Sequence, residues 1–292
     1  MIRGPIALAT CREALGLDTD MPLLVAALQS ANIESVVVPW DDDIDWSQYP
    51  LVVIRSTWDY HRRYSEFMDW VRKVARQTQL ANTLDVVAWN SDKRYLNELA
   101  GAGLPIVPTT FVAPDDQLDR AALLELLAAG DVVVKPTVSA GSNDTERHLT
   151  LDAVTAHVQL LHDSGRTAMV QPYMREVENA SETGLVYIDG EFSHAFAKGP
   201  MLRDPKTMAE GLYAEELIEA RTPSPAERSL GDHVLSYVGN RFGRPLYTRV
   251  DLLPSPQGPV IIEVEMTEPS LYVHLSDGAA DRLADAIRRS AA

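Results

Sequence analysis

The sequence predicts a mixed α/β and α+β protein, with a small parallel sheet near the N-terminus and antiparallel hairpins beyond it. Three observations carry this reading. Short apolar runs alternate with helical stretches in the N-terminal third. Two hairpin signals, Asp189-Gly190 and Pro254-Ser-Pro-Gln-Gly-Pro259, lie late in the chain. The composition, 46% apolar and 23% charged over 292 residues, is that of a globular protein long enough for more than one domain.

Residues 5–9, PIALA, predict a first buried strand. A polar loop, Thr10–Asp20, follows, and Pro22 suits the first turn of a helix, where its missing N–H costs nothing. Leu23, Leu24, Ala27 and Leu28 then share one helical face. Ser35–Val38 and Leu51–Ile54 predict strands. The acidic run Trp40–Asp45 between them reads as a solvated loop, because consecutive Asp side chains point in different directions. Phe67, Trp70, Val71 and Val74 recur at helical spacing over Tyr64–Gln77 and form a core stripe. This strand–helix–strand–helix order predicts a parallel sheet.

Asn90–Pro105 reads as one capped helix, with Asn90 or Ser91 at its start and Gly101 or Gly103 near its end. Lys93 falls in its first turn, where a cation is locally unfavourable. Either simple exposure or a nearby anion accounts for it. Ala121–Ala129 predicts a helix and Val132–Val134 a buried strand that ends at Lys135. Ser139–Thr145 is a small-residue loop whose backbone N–H groups could wrap an anion. It is not a Walker-type loop, since the glycines and the following Lys-Ser/Thr are missing. Ala168–Met174 predicts a strand ending in Gln171-Pro172, where the break in the ladder leaves backbone groups for an adenine edge. Glu178 and Glu182 follow. Thr183–Ile188 and Glu191–Lys198 are the arms of the Asp189-Gly190 hairpin. Met201–Leu217 has few periodic cues and reads as a loop. Ser224-Pro225-Ala226-Glu227 is a capping box with proline at the first helical position, and it starts a helix to about Phe242. A last helix runs from Asp277 to Arg289.

The stretch Leu246–Val273 concentrates the chemistry. Strand alternation puts Val260, Ile262 and Val264 on one face of its second strand and Glu263 and Glu265 on the other. Arg249 and Asp251 share a face of the first strand. Folded as a hairpin, the unit presents three carboxylates and a guanidinium over an apolar floor. Such a group either holds Mg²⁺ beside phosphate oxygens or is a solvated surface. Arg55–His61, RSTWDYH, follows a strand directly, and loops at carboxyl ends of strands are where open α/β sheets bind ligands. Arg55, Trp58, Asp59 and Tyr60 there offer a charge, stacking surface and hydrogen bonds. Core packing is the other reading of each ring.

The net charge of −16 repels a phosphate backbone and argues against nucleic acid as a partner. No apolar run approaches the roughly 18 residues of a membrane span. The N-terminal MIRGPIALAT is too quickly polar for a secretory signal. The single cysteine, Cys11, excludes an internal disulfide framework and fits a reducing cytoplasm.

The ordered set resembles the ATP-grasp superfamily, most closely its glutathione-synthetase-like branch. That set is a lysine on a capped helix, a second lysine at a strand end, a small-residue loop, a hinge strand, a hairpin with another lysine, then R-x-D and E-x-E. The resemblance implies three parts: an N-terminal α/β substrate-side domain over 1–90, a lid subdomain over 91–168, and a subdomain with the Mg²⁺ site over 169–292. ATP then lies between the last two. It implies that Lys93 and Lys135 hold the α- and β-phosphates. Ser139, Gly141 and Ser142 belong to the loop that folds over them. Gln171, Pro172, Tyr173 and Met174 match the adenine hinge. Glu178 matches the ribose ligand, with Glu176 close enough to compete. Lys198 and Arg249 match basic residues near the γ-phosphate and acyl phosphate. Asp251, Glu263 and Glu265 match the ligands of two Mg²⁺ ions. The chain departs from the pattern at Glu265, where the family usually has Asn, and in a glycine-poor loop.

RSTWDYH, NSDKRYLNELAGAGLPIVPT, VVVKPTVSAGS and EVEMTEPSLY also look like the subgroup that includes the O-ureido-serine cyclo-ligase of D-cycloserine biosynthesis. The expected activity is thus ATP-dependent carboxylate–amine ligation through an acyl phosphate, with ring closure of O-ureido-D-serine favoured. Intermolecular amino-acid or peptide ligation and a non-catalytic ATP-binding regulator are the alternatives. The expected substrate is amino-acid-like, contacted by Arg55, Trp58, Asp59, Tyr60 and Ser270. A cytoplasmic location is expected; related enzymes are often dimers, but no stretch of the sequence shows an interface, so monomer and homodimer both stay open.

Overall fold

The structure, a computed structural model, describes residues 4–200, 202 and 217–292. Most of the loop expected over Met201–Leu217 therefore lies outside the described residues.

The first sheet is parallel, in the order β2-β1-β3-β4, formed by β1 (Ile6–Thr10), β2 (Ser35–Pro39), β3 (Leu51–Ser56) and β4 (Gln79–Ala81). Helix α1 (Asp20–Ser30) covers one face and α2 (Tyr64–Gln77) the other. The α1 stripe is Asp20, Met21, Leu24, Ala27 and Leu28, whereas Leu23, expected inside, is exposed. Phe67, Trp70, Val71 and Val74 of α2 are buried as expected, and Cys11 is a buried free thiol.

Two short helices, α3 (Leu84–Asn90) and α4 (Tyr95–Gly101), replace the single helix expected over Asn90–Pro105. Asn90 ends the first of them rather than capping the second. Its amide donates to Val264 O and accepts from Met266 N–H, so it fastens α3 to the C-terminal sheet. Val86, Tyr95, Leu96 and Leu99 share a core cluster with that sheet. This segment, Lys93 included, therefore packs with the C-terminal part, not with the lid where 91–168 was expected to fall.

The lid sheet begins at β5 (Thr110–Val112) and continues through α5 (Arg120–Ala129), β6 (Val132–Pro136), β7 (Glu146–His148), α6 (Leu151–Asp163) and β8 (Ala168–Pro172). Its order is β5-β8-β6-β7, all antiparallel. The expected boundary at 168/169 falls inside β8. That strand hydrogen-bonds to β5 and β6, so it stays with the lid.

After α7 (Val177–Ala180), the third sheet comprises β9 (Glu182–Ile188), β10 (Glu191–Lys198), β11 (Ile218–Ala220), β12 (Tyr247–Leu253) and β13 (Val260–Glu265), in the order β11-β10-β9-β12-β13. Asp189 and Gly190 take φ of 51° and 72°, the left-handed pair that a tight hairpin requires. Helix α8 (Pro225–Phe242) opens with the expected capping box at Ser224 and Glu227. Helix α9 (Ala279–Ser290) closes the chain against α1.

Alternation gives the third sheet two characters. Leu185, Tyr187, Val250, Leu252 and Val264 face α8. The opposite face carries Phe196, Arg249, Asp251, Glu263 and Glu265, the last four lining a cleft. The register pairs Arg249 with Glu265 and Asp251 with Glu263. A bulge follows, because Leu252 pairs with Ile261 and Ile262 is the extra residue. Ile261 thus takes the core position expected of Ile262, and Ile262 lines the cleft.

Gly184 sits between Phe196 and Asp251 on this face. A Cβ there would meet the Phe196 ring at 2.1 Å. Gly184→Ala is expected to lower stability by about 1–3 kcal/mol through overpacking, read as a reduced urea midpoint. An unchanged midpoint would show that Phe196 yields without strain.

Candidate active site

A cleft of about 380 Å³ opens between the lid sheet, the third sheet and the loop after β3. The lid contributes Lys135 and the turn containing Ser139, Gly141 and Ser142. The hinge contributes Gln171, Pro172, Tyr173 and Met174. The third sheet contributes Lys198, Arg249, Asp251, Glu263 and Glu265, and the N-terminal domain contributes Trp58 and Tyr60. Ser270 also reaches it. Residues separated by more than two hundred positions are thus brought together in one cleft.

Lys93 precedes α4 rather than lying in its first turn. Its Nζ is 2.9 Å from Glu263 Oε1 and donates to Ser139 O at 2.8 Å. The nearby anion is therefore a carboxylate of the chain, and the contact ties the base of the loop to the floor. Burial acts to lower the Lys93 pKa, but Glu263 beside it outweighs this and the net direction is up. Burial likewise acts to raise Glu263, and Lys93 and Lys135 bring it below the usual carboxylate range.

Arg249 donates twice to Asp251, at 2.9 and 2.7 Å, and also to Glu265 and to Ser270 O. Glu265 is nonetheless pushed well above the carboxylate range, by burial first, against the opposing Arg249, with the charges of Glu263, Asp251 and Glu268 adding to the rise. The oxygens of Asp251, Glu263 and Glu265 are not gathered to metal-site spacing, because Arg249 holds the first and third and Lys93 the second. Among the described residues the trio that does lie within 4.8 Å is Glu146, His148 and His157. It sits between β7 and α6, away from the cleft, and its two imidazoles hydrogen-bond each other at 2.9 Å.

In the loop, Gly141, Ser142 and Asp144 adopt left-handed φ of 59°, 58° and 51°. At the hinge, Tyr173 N–H donates to Asp131 O at 2.8 Å. The Met174 N–H carries no hydrogen bond among the described residues.

Three expected site residues do not line the cleft. Glu178 accepts from Arg147 at 3.2 Å, and that guanidinium stacks 3.7 Å over the Tyr173 ring. Glu182 lines the cleft instead. Asp59 accepts from Trp40 Nε1 at 2.8 Å. Arg55 is 1% exposed, 3.5 Å from Asp20, and donates to Pro269 O. It holds the 269–273 loop from beneath. Asp20 does the same by accepting from the N–H groups of Leu271, Tyr272 and Val273.

Sequence reasoning missed Glu268, which is 8% exposed and lines the cleft. The signal was a glutamate directly before Pro269 in the segment leaving the E-x-E strand.

The profile of the N-terminal domain of D-cycloserine synthetase DcsG matches residues 6–82. The cycloserine biosynthesis protein DcsG of Streptomyces lavendulae is 36% identical over 97% of this chain and 98% of its own. The chain belongs to the DcsG family. The crystal structure of D-cycloserine synthetase DcsG superposes with a TM-score of 0.91 at 34% identity, covering 99% of this chain and 100% of that one. The D-alanine–D-alanine ligase of Bacillus anthracis has a TM-score of 0.73 at 15% identity over 99% and 97% of the two chains, a likeness of fold. This member of the DcsG family is thus an ATP-grasp ligase, an enzyme that forms a C–N bond, and not a regulator without chemistry. No helix among the described residues is long and apolar enough to cross a membrane.

Proposed function

We propose that this ligase uses ATP to close O-ureido-D-serine into D-cycloserine. The observation that carries the proposal is the convergence of Lys93 and Lys135 with Arg249, Asp251, Glu263 and Glu265 on one cleft. The match to DcsG over almost the full length of both chains supports the substrate. The substrate carboxylate oxygen attacks the γ-phosphorus of ATP and ADP leaves, giving an acyl phosphate. The oxygen-bound nitrogen of the ureido group then attacks the carbonyl carbon, phosphate departs and the nitrogen loses its proton; one water then cleaves the carbamoyl group from that nitrogen, and it leaves as CO2 and ammonia.

Such a transfer asks the protein for positioning and charge neutralisation. Lys135 and Lys93 face the α- and β-phosphates, Lys198 and Arg249 the transferred group. The free Met174 N–H suits an adenine acceptor. The loop around Gly141 and Ser142 covers the phosphates and keeps water from the acyl phosphate. Glu182 replaces Glu178 as the ribose candidate, because it reaches the cleft. Mg²⁺ fits the donor set, since three carboxylates on one sheet face are hard oxygen ligands, and a cation among them would offset the burial and mutual repulsion that push Glu265 upward. When bound, it would supply charge neutralisation at the phosphate oxygens. Asp251, Glu263 and Glu265 would hold it after Arg249 and Lys93 turn toward the nucleotide.

The experiment is ADP release over a panel of amino acids that includes both enantiomers of O-ureidoserine, with product identified by mass spectrometry. Ring product from the D enantiomer is expected. ADP release only when a second amino acid is present would favour intermolecular ligation.

Lys135 gives a pH signature. Burial pushes its pKa down to about 8, Glu263 pulling it up, Lys93 pushing it further down, Glu182 and Lys198 adding smaller opposed effects. Between pH about 8 and the unfolded lysine value of about 10.4, the folded chain binds fewer protons at this group than the unfolded chain. Its contribution to stability therefore rises with pH through that window, while its capacity to hold phosphate falls. kcat/KM for ATP is expected to drop about tenfold per pH unit above about 8, with the break moved upward in Lys135→Arg. A profile flat to pH 9.5 would remove Lys135 from the phosphate site.

A further inference from the structure

Glu268 is the carboxylate in the cleft that the preceding chemistry leaves over. Asp251 and Glu265 are paired with Arg249, and Glu263 with Lys93. Among the described residues no ion pair reaches the Glu268 carboxylate and no other residue's side chain donates to it; its own backbone N–H faces it. The cations that act on it, Lys93 and Arg249, are already committed to other carboxylates. Burial pushes its pKa up to about 8, with Lys93 opposing, Glu263 adding and Arg249 opposing. A buried carboxyl without a cation is costly, and it is stabilised when a ligand brings one.

Its place is rigid. Trp58 Nε1 donates to Glu268 O at 3.3 Å, and Arg55 Nη2 donates to the next carbonyl, Pro269 O, at 3.2 Å. Both side chains come from the end of β3 or the loop beyond it, on the side where the substrate-side domain closes the cleft. Glu268 is also the first charge that acts on Tyr60, ahead of Glu263 and Glu265. Trp58 and Arg55 thus hold the 268–269 segment on the side of the cleft that the substrate-side domain closes.

We propose that the Glu268 carboxylate is the subsite for the α-ammonium group of the amino-acid substrate. Lys93, Lys135, Lys198 and Arg249 suit phosphates and a carboxylate. A free α-amino acid brings one cation, and Glu268 is the uncommitted carboxyl that becomes the matching anion when that cation arrives. Held there, the α-amine keeps its proton and has no lone pair with which to attack an acyl phosphate. The inference rests on the reading of the chain as a ligase for a free amino acid.

The test is calorimetry with Mg²⁺ and a non-hydrolysable ATP analogue present. Wild type, Glu268→Gln and Glu268→Ala are titrated with O-ureido-D-serine and with the analogue lacking the α-amine. Wild type is expected to prefer the amine by about 10- to 100-fold, the worth of a charged hydrogen bond. Both variants should lose that preference while KM for ATP stays within about twofold of wild type. The isosteric Gln variant guards against a folding defect. A preference kept in Glu268→Gln overturns the proposal. So does a lower kcat at unchanged substrate affinity, which would mark a role in proton transfer, or a raised Mg²⁺ requirement alone, which would mark a metal ligand. Wild-type turnover of a different amino acid would sink the cyclisation reading, and the same comparison, run on that amino acid and its deaminated analogue, would still decide Glu268. No turnover with any amino acid sinks both.

Discussion

Replacing Arg249 by methionine is expected to stop ADP release and to lower stability by about 3–5 kcal/mol, the cost of removing one member of a buried ion pair. Arg249 is 6% exposed and fills the gap between Asp251 and Glu265 while donating to Ser270 O at 2.9 Å. Methionine is apolar and leaves the buried Asp251 and the half-buried Glu265 facing each other without a cation. In the proposed reaction the same guanidinium faces the transferred phosphoryl group, so kcat should fall by about 10²–10³-fold or more. Arg249→Lys separates the two effects. It keeps the charge and part of the stability but not the planar fork that binds Asp251 through two nitrogens. Urea unfolding and ADP release measure the two losses. A methionine variant with a wild-type midpoint would mean that the two acids are protonated in the free enzyme and that Arg249 is not their partner. The Arg249→Met, Glu265→Gln double variant should recover part of the loss, because the two residues share one interaction.

The second large effect is expected at Asp20, far from the chemistry. Its carboxylate accepts three consecutive backbone N–H groups, from Leu271 at 2.6 Å, Tyr272 at 3.0 Å and Val273 at 2.8 Å, and faces the buried Arg55 guanidinium. Asp20→Ala orphans two buried donors, one half-buried donor and a buried cation at once, with an expected loss of about 3–5 kcal/mol. Ser270 and Tyr272 line the cleft, so KM for the amino-acid substrate should rise more than KM for ATP. Hydrogen exchange gives a local readout: the amides of 271–273 should exchange faster in the variant than those of β12. Equal protection in both proteins would show that the loop is held by its apolar packing, with Leu271 and Val273 in the core between α1 and α9.

Asp20 also marks the limit of what a sequence reveals. It read as the end of a polar loop, and Arg55 as a substrate contact. Nothing local signals that the two lie side by side beneath a loop more than two hundred positions later. The same holds for Asn90, which has the chemistry of a helix cap and is used to fasten α3 to β13. Short polar side chains serve both purposes equally well, so the choice depends on which backbone arrives beside them. The two lysines, the hinge and the R-x-D and E-x-E strands were legible because each pattern is local and their order along the chain is restrictive. The short strands β4, β5 and β7 were not read, since runs of three residues carry no usable period; helix α6 was also not read, although Leu151–Asp163 is long enough to carry one.

The sequence by itself determined which strands exist where period-two alternation is strong, which residues on them are polar, and the class of chemistry those residues can perform. Tertiary structure decided the rest. It placed Lys93 on the floor with Glu263 instead of in the lid, moved Ile262 into the cleft through a one-residue bulge, and left Glu268 as the carboxylate without a cation. The physical reason is common to all three. Charge pairing and register depend on distances between segments remote in the chain, and those distances exist only once the sheets have packed.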